Sequence, residues 1–198
     1  MTKKELMSNY DVIKTIYAGE FFAVKVERNV AIHTLLGSCV AACIYDDINN
    51  IFGMNHFMLP DNHGADNINS KSAKYGVHAM ELLINNMASM GASRSNFKAK
   101  IFGGAAPLDK MSEPLIGNSN INFISNFLKT ESIPLVSSCV GGELGRVIYF
   151  VPDDFVVYVR KINKTKHKDI FQNERHRWVK TVDAYESTNE RQSVLWNR

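Results

Sequence analysis

The chain has little cysteine: Cys39, Cys43 and Cys139 are the only three in 198 residues. An odd, low count gives no disulfide framework. It points to free thiols in a reducing, cytoplasmic compartment. Long hydrophobic runs are missing too. None approaches the roughly 20 residues that a membrane-spanning helix needs, so no membrane insertion is expected. The start, Met1-Thr2-Lys3-Lys4-Glu5, is charged, but no apolar stretch follows it and no secretory leader is expected. No internal repeat and no low-complexity tract is present. What remains is ordinary for a globular protein, with 45% hydrophobic and 22% charged residues. The length suffices for one domain with a full core.

An excess of one charge is also lacking over most of the chain. Residues 1–161 hold 15 Lys/Arg and 15 Asp/Glu, whereas residues 162–198 hold 8 and 5 and so carry the whole net charge of +3. Trp178 and Trp196 fall in the same tail. This predicts a neutral domain over 1–161 and a basic C-terminal extension over 162–198. The acidic residues of the tail dilute any nucleic-acid footprint, so no nucleic-acid partner is expected. A solvated or loosely docked extension is the plain expectation. Docking of a partner by the tryptophans with Arg175, Arg177 and Lys180 is the sharper one.

Strand and helix signals alternate along the domain. Apolar runs predict strands over 20–26, 30–36, 40–45, 51–59, 98–102, 134–139, 147–151 and 155–160. Asp46 to Asn50 is a turn cluster, which makes the runs on either side a hairpin. Val77, Met80, Leu83, Ile84, Met87 and Met90 recur at helical spacing over 73–90, and Gly91 supplies a stop. Asn118-Ser119-Asn120 offers caps for a second helix over 121–129. Residues 61–72 are polar and read as a loop. The fold class that follows is α/β: one layered domain with a mixed or antiparallel sheet packed by two main helices, plus the C-terminal extension.

Gly37-Ser38-Cys39 stands between two strand runs, which puts a thiol at a tight turn and a strand edge. His56 lies across the predicted hairpin. A thiol and an imidazole are the minimum parts of a cysteine nucleophile and its base. Small residues at Gly37 and Ser38 permit a sharp turn, an accessible thiol and backbone N–H groups that can bind an oxyanion. Against this stand two other readings. Cysteine is among the most buried residue types, so the pair fits plain core. Cys39, Cys43 and His56 can also be read as metal ligands, although paired CxxC spacing and a fourth ligand are missing, and no metal is expected. Cys43 and Cys139 sit in apolar strand runs and read as packed thiols, while His63 and His78 read as loop and helix-surface residues.

Four segments carry a resemblance. Thr34-Leu35-Leu36-Gly37-Ser38-Cys39-Val40-Ala41, then His56-Phe57-Met58-Leu59-Pro60, then Lys100-Ile101-Phe102-Gly103-Gly104-Ala105, and Gly141-Gly142 through Gly145-Arg146-Val147 with Phe150 resemble the CheD family of chemoreceptor glutamine deamidases. The resemblance covers about residues 15–161 and leaves the tail outside. It implies a cysteine hydrolase that converts receptor glutamines to glutamates, with no cofactor, Cys39 as nucleophile and His56 as general base. It implies a threonine as the third member. One form of the family places that threonine six residues before the cysteine, where this chain has His33, and Thr34 stands five before. Thr34 is assigned, with His33 as the alternative on the opposite strand face. The implied partners are the cytoplasmic domains of methyl-accepting chemotaxis receptors, lying over the 61–72 loop and the Gly103-Gly104 turn, and a CheC-type phosphatase or other adaptor. Two other functions stay open: an adaptor of the same fold with little activity, and a receptor glutamate methylesterase.

Overall fold

A computed structural model describes residues 8–59, 71–106 and 113–162. Among the described residues, nine strands and two long α-helices follow in the order β1 (Val12–Thr15), β2 (Phe21–Lys25), β3 (Val30–Leu36), β4 (Val40–Asp46), β5 (Ile51–Phe57), α1 (Lys71–Ser89), β6 (Phe97–Gly103), α2 (Glu113–Thr130), β7 (Leu135–Val140), β8 (Arg146–Phe150) and β9 (Val157–Lys161). The strands form two mixed sheets. The smaller runs β1-β3-β8-β9 and the larger β2-β5-β4-β6-β7. The pairs β1–β3 and β6–β7 are parallel and the rest antiparallel.

Side-chain alternation sorts the core into layers. In β4 and β5, Ala41, Cys43, Phe52 and Met54 face the smaller sheet, where they meet Val30, Ile32, Leu36, Ile148 and Phe150. The alternate residues Val40, Ala42, Ile44 and Phe57 face the helices and pack on Met80, Leu83, Ile84, Phe123 and Ile124. Buried on both faces, β4 and β5 show no apolar/polar alternation at all. Each large apolar side chain buried this way contributes roughly 1.5–3 kcal/mol. The α/β class and the two main helices agree with the expectation. Both helices lie on the larger sheet, and the second sheet covers its other face.

Two elements depart most from the sequence reading. The strand β1 has no counterpart among the expected strands, because four residues with an exposed–intermediate alternation give almost no apolar signal. The second helix begins at Glu113, eight residues before the expected start. Pro114 is tolerated in a first helical turn. Gly117 is placed by packing: a Cβ there would stand 2.6 Å from the Gly104 carbonyl oxygen. Asn118, Ser119 and Asn120 are therefore interior helix residues and not caps. Of the expected 61–72 loop, residues 61–70 lie outside the described residues, as does the extension from 163 onward, while residues 71 and 72 already belong to α1.

Candidate active site

Three strand ends bring Thr34, Cys39 and His56 into the layer between the sheets. Thr34 shares its face of β3 with Val30, Ile32 and Leu36, which belong to the inter-sheet core. In β5, His56 pairs with Ala41, and Phe57 pairs with Val40. The register therefore carries Cys39 opposite Met58, and Cys39 Sγ lies 3.8 Å from Met58 Sδ. Cys39 and His56 are diagonal neighbours on one face, about 7–8 Å apart at Cα and within side-chain reach.

Thr34 Oγ1 is 2.8 Å from His56 Nδ1 and donates to the Ile16 carbonyl at 2.8 Å. A hydroxyl has one hydrogen, and a carbonyl oxygen can only accept. With its hydrogen given to Ile16, Thr34 must accept from His56. Nδ1 thus carries a proton, and in the neutral ring Nε2 is the basic nitrogen. The backbone of His56 is held as well: its N–H donates to the Glu20 carbonyl at 2.9 Å and its carbonyl accepts from Gly19 at 2.7 Å. His33 takes no part. One residue away, it faces the outside of the smaller sheet, with its ring 4.6 Å from that of Tyr149 and Nδ1 3.2 Å from Thr15 Oγ1.

The turn before β4 is fixed through its carbonyls. Gly37 O accepts from Ala105 N and Cys39 O from Gly104 N, both at 2.7 Å. Ser38 O accepts from Asn120 Nδ2 at 2.9 Å. Gly103 and Gly104 were expected to offer a surface to substrate. They are buried and serve as the scaffold of this turn. Gly103 has φ +111°, and a Cβ there would stand 2.1 Å from Cys39 O, so glycine alone fits. The expected accessible thiol is also corrected. Cys39 has no exposed surface, His56 is 2% exposed and Thr34 1%. The inter-sheet layer that gathers the three groups also encloses them, with Met58 against the sulfur.

Elsewhere the polar groups hold structure. Cys43 is buried, and burial pushes its thiol up, against a smaller opposing pull from Lys100. Arg146 is 2% exposed, and burial lowers its pKa. Its guanidinium donates to the carbonyls of Cys139, Gly141 and Leu144 and reaches Cys139 Sγ at 3.4 Å, which ties the Gly141–Gly142 turn in place. Among the described residues no group of three or more His, Cys, Asp or Glu is placed to hold a metal. A cavity of about 150 Å³ between the β2 edge and α1 is lined by Glu20, Asn55, His56, Tyr75 and His78, among others, but by neither Cys39 nor Thr34. Sequence reading missed Asn120 as a partner of this turn. Its position beside Ser119 signalled only a cap, and contacts over 82 residues of chain leave no local pattern.

Comparison with known proteins places the chain in a family. The sequence model described as CheD chemotactic sensory transduction matches residues 58–161, just over half of the chain. The chain belongs to the CheD family. It is similar to proteins named probable chemoreceptor glutamine deamidase CheD 1 from Dechloromonas aromatica, 42% identical over 159 residues, and from Geobacter sulfurreducens, 42% identical over 162. Those matches cover 80% and 78% of this chain, and 78% and 81% of the relatives. Probable chemoreceptor glutamine deamidase CheD 2 from Shewanella oneidensis is 38% identical over 198 residues, covering 96% of both chains. Coverage that wide carries the CheD likeness past residue 162, beyond the last of the motifs quoted above.

Proposed function

We propose that this chain is a cysteine amidohydrolase that converts selected glutamines of methyl-accepting chemotaxis receptors to glutamates through a γ-glutamyl thioester. The observation that carries this reading is the chain from Ile16 O through Thr34 Oγ1 to His56 Nδ1, each link 2.8 Å, beside Cys39. It supports a histidine whose Nε2 can take a thiol proton, with Thr34 setting the tautomer and ring orientation. That is the third-group role that a nucleophile and base pair needs.

Cys39 Sγ gives its proton to His56 and attacks the side-chain amide carbon of glutamine. The amide oxygen becomes an oxyanion. Because the peptide unit is planar, the fixed carbonyls of Gly37 and Ser38 also fix the N–H groups of Ser38 and Cys39 as oxyanion donors. The imidazolium protonates the departing nitrogen, the C–N bond breaks and ammonia leaves, with the acyl group on sulfur. His56 then takes a proton from water, hydroxide adds to the thioester, and the C–S bond breaks to give glutamate and free Cys39. Every proton is returned, and no cofactor enters. The burial of Cys39 means that a receptor glutamine must enter through local displacement at the strand ends. Receptor cytoplasmic domains are the proposed partners, with a CheC-type phosphatase or other adaptor as the further partner, and the cytoplasm is the proposed location. Among the described residues no helix is long and apolar enough to cross a membrane.

The test is incubation of the purified chain with receptor cytoplasmic fragments, followed by peptide mass spectrometry for glutamine-to-glutamate conversion. Conversion is expected from the native chain and lost in Cys39→Ala and His56→Ala, with near-UV circular dichroism unchanged. Equal conversion by Cys39→Ala would refute the mechanism. Methanol release from methylated receptors without any deamidation would favour an esterase instead.

A further inference from the structure

Asn120 is fully buried on α2, on the helix face that packs against the sheet. Phe123, Ile124, Phe127 and Leu128, further along the same helix, belong to the apolar core. An amide in such a place is costly unless its hydrogen bonds are made. Asn120 makes two. Nδ2 donates to the Ser38 carbonyl at 2.9 Å, and Oδ1 accepts from the Leu59 N–H at 2.8 Å. The orientation of the amide is unambiguous, because the Leu59 N–H can only donate and the Ser38 carbonyl can only accept.

Each of those partners adjoins a reacting group. The Ser38 carbonyl belongs to the peptide that carries the Cys39 N–H. Leu59 continues the strand of His56 by three residues. A single side chain thus spans the two chain segments that bear the thiol and the imidazole, at the end where the β4–β5 ladder stops at Val40–Phe57.

We propose that Asn120 is a positioning residue for this site: its side-chain amide clamps the Ser38 peptide to the end of the histidine strand and so aims the Cys39 thiol and N–H. The inference rests on the amidohydrolase reading for its consequence in turnover, but its effect on the thiol can be read without any receptor. Losing the clamp removes the bond from α2 to the Ser38 peptide, while Gly37 O and Cys39 O keep theirs to Ala105 and Gly104, and a misplacement of about 1 Å at a reacting centre can cost on the order of a hundredfold in rate.

The experiment follows modification of Cys39 by iodoacetamide against pH, with peptide mass spectrometry to separate Cys39 from the other two thiols. Native chain, Asn120→Ala and the near-isosteric Asn120→Leu are compared. Asp46→Asn, at the far end of β4, serves as a control for general destabilisation. The midpoint of the Cys39 profile is expected to shift in both Asn120 variants and to stay in place in Asp46→Asn. On receptor fragments kcat is expected to fall about tenfold or more, with KM within about twofold. An unchanged midpoint in the Asn120 variant that folds overturns the proposal, whatever the thermal stability. Absence of receptor conversion by the native chain would instead refute the amidohydrolase reading and leave the midpoint comparison to decide on Asn120.

Discussion

The two ends of the β4–β5 hairpin use one device for different ends. At the closed end, the buried Asp46 carboxylate accepts from the N–H groups of Ile48, Asn49 and Ser93, at 3.1, 2.9 and 2.8 Å, and from Asn49 Nδ2 at 2.7 Å. At the open end, Asn120 and the 103–105 backbone collect the carbonyls of Gly37, Ser38 and Cys39, and Thr34 holds His56. Both ends satisfy buried backbone groups with a few polar partners. The closed end does so with residues near in sequence, apart from Ser93 and Asn96, whose Nδ2 lies 3.4 Å from both Asp46 oxygens, and the outcome is a turn. The open end draws on four distant segments, and the outcome is a thiol and an imidazole held in fixed relation. What separates a structural cap from a candidate active site here is which groups are left to react once the backbone is satisfied.

The largest expected effect tests the open end. Thr34→Val keeps the shape of the side chain but removes the atom that accepts from His56 Nδ1. The ring can then rotate or adopt its other tautomer. Deamidation is expected to fall about a hundredfold or more in kcat, with Thr34→Ser restoring most of it because the hydroxyl returns. Circular dichroism and thermal melting would confirm that the valine substitution leaves the fold intact. Turnover within twofold of native in Thr34→Val would show that the threonine is merely another buried polar group, like those of the closed end.

The closed end was legible in the sequence, and the open end only in part. Asp46 to Asn50 announces a turn because Asp and Asn satisfy neighbouring backbone groups, a strictly local pattern. Cys39 and His56 were legible as a pair, since hairpin register follows from a turn and two runs. The choice between Thr34 and His33 was not. Neighbouring residues on a strand face opposite ways, and the face follows from how β3 packs on the second sheet. Nothing local to His33-Thr34 encodes that packing. Asn120 and the Gly103-Gly104 scaffold were misread for the same reason, since a cap and an exposed turn are what those residues mean locally. Burial of Cys39 likewise follows from the second sheet, which strand counting did not separate from the first.

A smaller effect is expected at the closed end. Burial pushes the Asp46 carboxyl up. Hydrogen bonds from Asn49, from the Ser93 and Asn49 N–H groups and from Asn96 outweigh it and hold the group below its ordinary value. A carboxyl depressed in the folded state contributes stability that is fully present above its unfolded value, near 3.9. That contribution is lost as pH falls through the folded value. Asp46→Asn turns an acceptor toward several donors into a competing donor and is expected to cost about 1–3 kcal/mol near pH 7. The deficit, measured by denaturant melts, should shrink below about pH 4, where the native carboxyl protonates as well. Deamidation by the folded variant should stay near native. A deficit that grows on acidification would reverse the sign and mean that Asp46 is not held as a carboxylate.

The smallest effect is expected in the middle of the strand, where Cys43 offers the same chemistry as Cys39 without its setting. Both thiols lie on the inter-sheet face of β4 and both are fully buried. Burial raises the Cys43 thiol, and the opposing pull of Lys100, its cross-strand neighbour, is the lesser effect. Cys43 therefore stays protonated through the range in which enzymes of this kind are assayed, and a thiol is a poor nucleophile. No imidazole is paired opposite it, since the residue across β5 is Met54. Cys43→Ala should leave deamidation within about twofold of native and lower stability by about 1 kcal/mol through the small cavity left behind. In the native chain, iodoacetamide near neutral pH should modify Cys39 well before Cys43. Equal rates at the two sulfurs would mean that position on the strand, and not the groups gathered at its open end, sets their reactivity.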